Sequence, residues 1–201
     1  MNKIASLTIG IALAATVWFP RAKAEFIVNI DQVGSNVVET GSGSLSLNGA
    51  VLFDSGAGAA PSTHPSSAPS ILLGLAPLGS VDAYIGAITG PGNFGTGGQT
   101  FADIGTGDSV GIAPGGRSFI LVPAGYVSGR PLTDSDTYNS QTFASMGLAI
   151  GTYTYTLPAD TFVINVNAPA AVPEPSSVSA LAPALGLAML FASRRRREDS
   201  C

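Results

Sequence analysis

Apolar and polar positions alternate with period two through the middle of the chain, and this pattern predicts strands rather than helices. Phe26, Val28 and Ile30 share one face of a first strand, Gly34-Ser35-Asn36 reads as a turn, and a second strand starts at Val37. There Val38, Thr40, Ser42, Ser44, Ser46 and Asn48 fall on one face, and Val37, Glu39, Gly41, Gly43, Leu45 and Leu47 on the other. The first set fits solvent and the second a core edge; a one-residue slip would exchange them, so the pattern fixes the register. Val81, Ala83, Ile85 and Ala87 predict another strand, and Phe119 to Val122 a short buried one. Near the end, Tyr153, Tyr155 and Leu157 alternate with Thr152, Thr154 and Thr156, Pro158-Ala159-Asp160 turns, and Phe162, Ile164 and Val166 return as a hairpin. A single helical turn is expected over Thr142 to Met146, a mobile loop over Gly56 to Ser70 and a long glycine-dense turn over Gly90 to Gly98. Short strands joined by Gly/Pro turns predict an all-β, antiparallel sandwich with a jelly-roll-like body.

The two ends follow different rules. Lys3, the uncharged run Ile4 to Phe19, the break at Pro20 and the small-x-small triplet Ala22-Lys23-Ala24 have the layout of a secretory signal peptide cut after Ala24. An uncleaved anchor helix is the alternative. At the other end, Ser176 to Ser193 carries no charge, and eighteen helical residues reach about 27 Å, close to the hydrocarbon thickness of a bilayer. The basic cluster Arg194, Arg195, Arg196 and Arg197 follows directly and resists translocation. This order predicts a transmembrane helix with a cytoplasmic C-terminus rather than a buried amphipathic helix. The expected organisation is a signal peptide over 1–24, a β-rich extracytoplasmic domain over 25–167, a linker over 168–172, a sorting segment over 173–197 and a tail over 198–201.

Charge and cysteine usage sharpen this division. The whole chain has nine Lys and Arg and a formal charge of −4, but only Arg117 and Arg130 belong to the central domain. Against them stand Glu25, Asp31, Glu39, Asp54, Asp82, Asp103, Asp108, Asp134, Asp136 and Asp160, a formal −8 for the domain. Such a domain cannot neutralise a phosphate backbone, which argues against nucleic-acid binding. The single cysteine, Cys201, lies in the tail, so the domain has neither a disulfide nor a thiol nucleophile. The single histidine, His64, sits in a Pro/Ser-rich stretch and lacks the second histidine of a typical zinc site.

Val172-Pro173-Glu174-Pro175-Ser176-Ser177, the Leu/Ala/Gly-rich segment after it and the arginine cluster together resemble the PEP-CTERM sorting signal of Gram-negative bacteria. The resemblance implies export through the Sec translocon, signal peptidase processing, transient anchoring in the inner membrane, and cleavage near Pro173-Glu174-Pro175 by an exosortase. It also implies delivery to the cell surface or matrix in company with exopolysaccharide or biofilm. Leu121-Val122-Pro123-Ala124-Gly125-Tyr126-Val127-Ser128-Gly129 and Thr142-Phe143-Ala144-Ser145-Met146-Gly147-Leu148 with Gly151-Thr152-Tyr153 resemble the body of a common group of such proteins. In that group a strand containing the first segment precedes a turn and a closing hairpin. The group supplies no catalytic residues to carry over.

Few residues suggest chemistry. Gly107-Asp108-Ser109-Val110-Gly111 matches a Gly-x-Ser-x-Gly nucleophile elbow, but no histidine follows Ser109 to act as its base, and a strand starting at Ser109 is the plainer reading. Asp103 with Asp108, and Asp134 with Asp136, are candidate carboxylate pairs; Asp134-Ser135-Asp136 also offers oxygen ligands for Ca²⁺ but lacks a full loop pattern. Solvated turn aspartates are the expectation for all four. No catalytic, cofactor or metal residues are assigned. The leading expectation is a non-enzymatic surface or matrix protein. A carbohydrate-binding module using an outward face of Tyr126, Tyr138, Tyr153 and Tyr155, and a hydrolase built on Ser109 and His64, are the rivals.

Overall fold

The structure, a computed structural model, describes residues 25–167. Several expectations lie outside these residues: the signal peptide with Ala22 and Ala24, the linker, the sorting motif Val172, Pro173, Glu174 and Pro175, and the C-terminal helix. The basic cluster Arg194, Arg195, Arg196 and Arg197 lies outside them as well.

Thirteen strands and one helical turn follow in order: β1 (Glu25–Val33), β2 (Asn36–Ser44), β3 (Val51–Ala59), β4 (Ser62–His64), β5 (Ser70–Leu73), β6 (Gly79–Ile85), β7 (Thr100–Phe101), β8 (Ile104–Gly107), β9 (Val110–Ala113), β10 (Phe119–Pro123), β11 (Pro131–Tyr138), α1 (Phe143–Met146), β12 (Gly151–Thr156) and β13 (Thr161–Val166). They form a six-stranded sheet, β12-β13-β1-β2-β11-β8, and a seven-stranded sheet, β3-β6-β10-β9-β5-β4-β7. The fold is all-β with two packed sheets, as the alternation predicts. The pairing is antiparallel except between β1 and β13, which run parallel from Glu25↔Thr161 to Ile30↔Val166.

One core lies between the sheets. The first contributes Phe26, Val28, Ile30, Val37, Leu132, Phe162, Ile164 and Val166, and the second Ile71, Leu73, Val110, Ile112, Ile120 and Val122. The predicted face assignment of β2 holds: Val37, Glu39 and Gly41 are buried and Thr40 and Ser42 exposed, although the strand ends at Ser44 rather than reaching Asn48. The closing hairpin also stands as predicted, with Tyr155, Leu157, Phe162 and Ile164 inward and Thr152, Thr154 and Thr156 outward. On the solvent face of the first sheet a row of short polar side chains crosses all six strands: Thr152, Asn165, Asn29, Thr40, Ser135 and Thr106.

Thr142 to Gly147 make the expected helical turn. Thr142 caps it by accepting from the Ser145 N–H, the Ser145 hydroxyl answers to the Thr142 N–H, and Gly147 ends it at φ 62°. A left-handed C-cap is where glycine costs least.

Two expectations need correction. Gly56 to Ser70 is not one mobile loop: it holds the end of β3, all of β4 and the start of β5, with Pro61, Ser62 and Thr63 buried. Small side chains there let β4 sit against β5 and β7 and carry Thr63 into the interior. The Ala124–Gly129 segment is a loop, not a strand; the strand ends at Pro123. Its turns clamp the chain after β2 through Leu45 N–H to Tyr126 Oη (3.0 Å), Leu47 N–H to Ser128 Oγ (2.9 Å) and Gly129 N–H to Leu45 O (2.9 Å).

Candidate functional site: a buried acidic layer

The structure departs furthest from the sequence reading at its acids. Leu132, Asp134, Asp136 and Tyr138 alternate inward along β11, so the two aspartates are core-facing strand residues and not solvated turn residues. The register fixes their neighbours: Asp136 lies opposite Glu39 on β2, and Asp134 opposite Gly41. On the far side of β11, Asp136 faces Gly105 and Asp134 faces Gly107. Glu39 and Asp136 are 0% exposed and Asp134 is 8% exposed.

The glycines make room for this layer. A Cβ on Gly41 would run into the Asp134 carboxylate and lie 2.7 Å from Phe26 Cζ. A Cβ on Gly105 would run into Gly74 O and lie 2.6 Å from Asp136 Oδ1. The side wall is apolar, since Ile30 pairs with Glu39 and Val28 with Gly41.

Each acid has a different set of partners. Thr63 Oγ1 donates to Glu39 Oε1 (2.7 Å), and the Tyr138 hydroxyl lies 3.2 Å from Glu39 Oε2 and 3.1 Å from Thr63 Oγ1. Asp136 receives only the Gly74 N–H, shared between its two oxygens at 3.2 and 3.3 Å. The Gly41 backbone amide favours the charged form of Asp134, but among the described residues neither of its oxygens makes a well-formed hydrogen bond. Thr63 and Gly74 belong to the second sheet and its loops, so these contacts tie one sheet to the other across the core.

Burial of a carboxylate without a cation disfavours its charged form. Desolvation pushes Glu39 up to about 8, with Asp136 and Asp134 adding to the rise. Desolvation, then the Asp136 charge, pushes Asp134 to about 8, and desolvation pushes Asp136 to about 7. Burial and the Glu39 charge hold the Tyr138 phenol well above its ordinary value. Arg117 and Arg130 are not among the groups acting on these acids. Arg117 instead stacks over Phe53 at 5.1 Å, beside an open recess of about 580 Å³ lined by Ile85, Ile88 and Gly115. Arg130 lines a second recess, of about 250 Å³, with Asp108 and Tyr126.

Asp82 and Asp160 are buried acids of another kind. Asp82 accepts from Ser55 Oγ (2.7 Å), the Gly125 N–H (2.8 Å) and the Gly56 N–H (3.0 Å), and these bonds hold it below the usual carboxyl range. Asp160 accepts from the Ser46 N–H (2.7 Å) and the Thr161 N–H (2.8 Å), fixing the hairpin turn to the chain after β2.

The remaining candidates separate. Ser109 precedes β9 and packs against Gly79, where an added Cβ would strike its Oγ. His64 ends β4 with its Nε2 3.0 Å from Ser66 Oγ, and no hydrogen bond joins it to Ser109. Asp103 and Asp108 each hold a backbone amide, those of Asn139 (2.7 Å) and Thr133 (2.9 Å). Tyr138 and Tyr155 are buried; Tyr153 packs on Phe94 and donates to Ala149 O (2.9 Å); Tyr126 is taken up by the loop clamp. The four tyrosines therefore do not build a common outward platform. Among the described residues no group of three or more His, Cys, Asp or Glu is placed to hold a metal ion, and no helix is long and apolar enough to cross a membrane.

Compared with known proteins, the chain matches no family model, no curated protein and no solved structure.

Proposed function

We propose that this chain is a non-enzymatic exported surface or matrix protein, with a jelly-roll-like sandwich delivered by a PEP-CTERM-type signal and released by an exosortase. The observation that carries the reading is the ordered series after the domain: Val172-Pro173-Glu174-Pro175, the uncharged segment Ser176 to Ser193, and Arg194-Arg195-Arg196-Arg197. The end of the described fold is compatible with cleavage near the sorting motif. β13 ends at Val166, ahead of the expected linker. Cleavage near Pro173 would leave every described strand intact. In this reading the signal peptide and the C-terminal transmembrane helix serve transit through the Sec translocon and the inner membrane only.

The polar row from Thr152 to Thr106 supports a hydrated outer surface suited to an exopolysaccharide matrix. The reading is tested by mass spectrometry of the mature protein from its native cell. Termini near Glu25 and Pro173 are expected, with any added mass reporting glycosylation of surface hydroxyls. Extracellular protein that keeps Arg194 to Arg197 would overturn it.

A further inference from the structure

We infer that Glu39, Asp134 and Asp136 are folded into the protein as neutral acids, so that the seam between the two sheets is closed by bound protons and loosens as the pH rises. The inference rests on proton bookkeeping within the site. Glu39, Thr63 and Tyr138 are joined by three contacts: Thr63 Oγ1 to Glu39 Oε1 at 2.7 Å, Tyr138 Oη to Thr63 Oγ1 at 3.1 Å, and Tyr138 Oη to Glu39 Oε2 at 3.2 Å. Thr63 and Tyr138 each have one hydroxyl proton. With Glu39 ionised, two protons must serve three links, and one pair of oxygens faces without a hydrogen between them. With Glu39 neutral, its O–H donates to Tyr138, Tyr138 donates to Thr63, and Thr63 donates to the Glu39 carbonyl oxygen. The ring then closes with one proton per link.

The neighbouring acids meet the same need. Asp136 lies directly opposite Glu39, so two charges there would repel across the ladder. Asp134 is buried, and against its desolvation stands only the Gly41 backbone amide, with no well-formed hydrogen bond to either oxygen among the described residues. Among the described residues, the surrounding elements bring no compensating charge. β1 presents Val28 and Ile30, β5 presents Ile71 and Leu73, and β8 presents Gly105. β4 presents Thr63, with the half-buried His64 paired to Ser66. Beyond β8, Asp108 adds a further negative charge felt by Asp134. Among the described residues no Lys or Arg acts on these acids and no group is placed to hold a metal ion, which leaves protons to neutralise them.

The seam, rather than the whole sandwich, is the moving part. Thr63–Glu39, Thr63–Tyr138 and Gly74–Asp136 are polar ties between the sheets, whereas the β12–β13 hairpin holds through Tyr155, Leu157, Phe162 and Ile164. Loss of the protons therefore opens β4 and β5 away from β2 and β11 first.

The full-length chain in mild detergent provides the test, with denaturant unfolding at about pH 5 and about pH 9 at one ionic strength. The unfolded-to-folded ratio should rise about a hundredfold or more toward the alkaline side. In the triple variant Glu39→Gln, Asp134→Asn, Asp136→Asn the change should shrink to less than about tenfold, because each amide copies the shape of a neutral acid. Should that variant not fold, infrared spectroscopy of the unaltered protein reads the same claim. A protonated carboxylic acid C=O band should persist at about pH 6.5, where free carboxyls have lost it. Hydrogen exchange, corrected for its intrinsic pH dependence, should rise in β2, β4, β5 and β11 before β12 and β13. A flat pH profile, an equally steep profile in the triple variant, or no acid band at that pH would overturn the inference. So would alkaline stability restored by added Ca²⁺ and lost to a chelator, which would make a cation the neutralising species.

Discussion

Glu39 and Asp136 stand opposite one another on the β2–β11 ladder, and both are fully buried. Two facing carboxyls in a core are tolerated only if charge is removed or balanced. Replacing Glu39 by Gln preserves a donor and an acceptor for Tyr138 and Thr63, so it should cost less than about 1 kcal/mol at pH 5 and stabilise at pH 9. Replacing it by Ala strands Thr63 and Tyr138 and leaves a cavity, at a cost of about 2–4 kcal/mol. Denaturant midpoints of the two variants at both pH values check this.

Gly41 and Asp134 form a second coupled pair. Gly41→Ala should destabilise by about 2–3 kcal/mol, because the new methyl meets both Asp134 and Phe26. Adding Asp134→Ala to it should recover part of that loss, since one of the two obstructions is then gone. A double-mutant cycle is expected to show a coupling of about 1 kcal/mol or more; additivity would place the obstruction at Phe26 alone.

Asp82 sets the acid side of the stability profile. Its pKa is lowered, so its contribution is present above the ordinary carboxyl value and lost as the pH falls through the lower folded value. Glu39, Asp134 and Asp136 are raised to about 8, 8 and 7. Their contribution is full below the ordinary carboxyl value and lost as the pH rises through about 7 to 8. The two limbs meet at the ordinary carboxyl value and place the stability maximum there, at about pH 4. Thermal melts across the pH range test the position of that maximum. Asp82→Asn should weaken the acid limb and raise exchange at Gly56 and Gly125.

Tyr126 holds the Ala124–Gly129 loop to the chain after β2. Its hydroxyl meets the Leu45 N–H at 3.0 Å, Leu45 O at 3.1 Å and Arg130 O at 2.8 Å. Tyr126→Phe should cost about 1–3 kcal/mol, chiefly through the stranded Leu45 amide. Hydrogen exchange at Leu45 should accelerate, with the β12–β13 hairpin unchanged.

Much of the fold is legible where a strand has one wet face. β2 and the β12–β13 hairpin alternate cleanly, and their inward residues can be named from sequence. Polar inward residues break this legibility. Glu39 falls on the inward face that the alternation of β2 already gives it, whereas Asp134 and Asp136 share a face with Leu132 and Tyr138 yet read as solvated turn aspartates. The periodic signal is present, but residue type argues for solvent and obscures it. Thr63 is hidden differently, because Pro, Ser and Ala around it give no alternation, and its burial depends on β5 and β7 arriving from distant sequence. The acidic layer is therefore a product of register between β2 and β11, two strands far apart along the chain.

The parallel pairing of β1 with β13 also orders events in time. β1 sits between β2 and β13, so the first strand to emerge acquires its second neighbour only when the last has arrived. A chain folding from its N-terminus would hold the Glu25–Val33 strand with one edge unsatisfied until nearly all of the domain had been made. Completion of the first sheet thus reports completion of the domain, and a chain truncated before Thr161 would leave β1 with one edge open to partners.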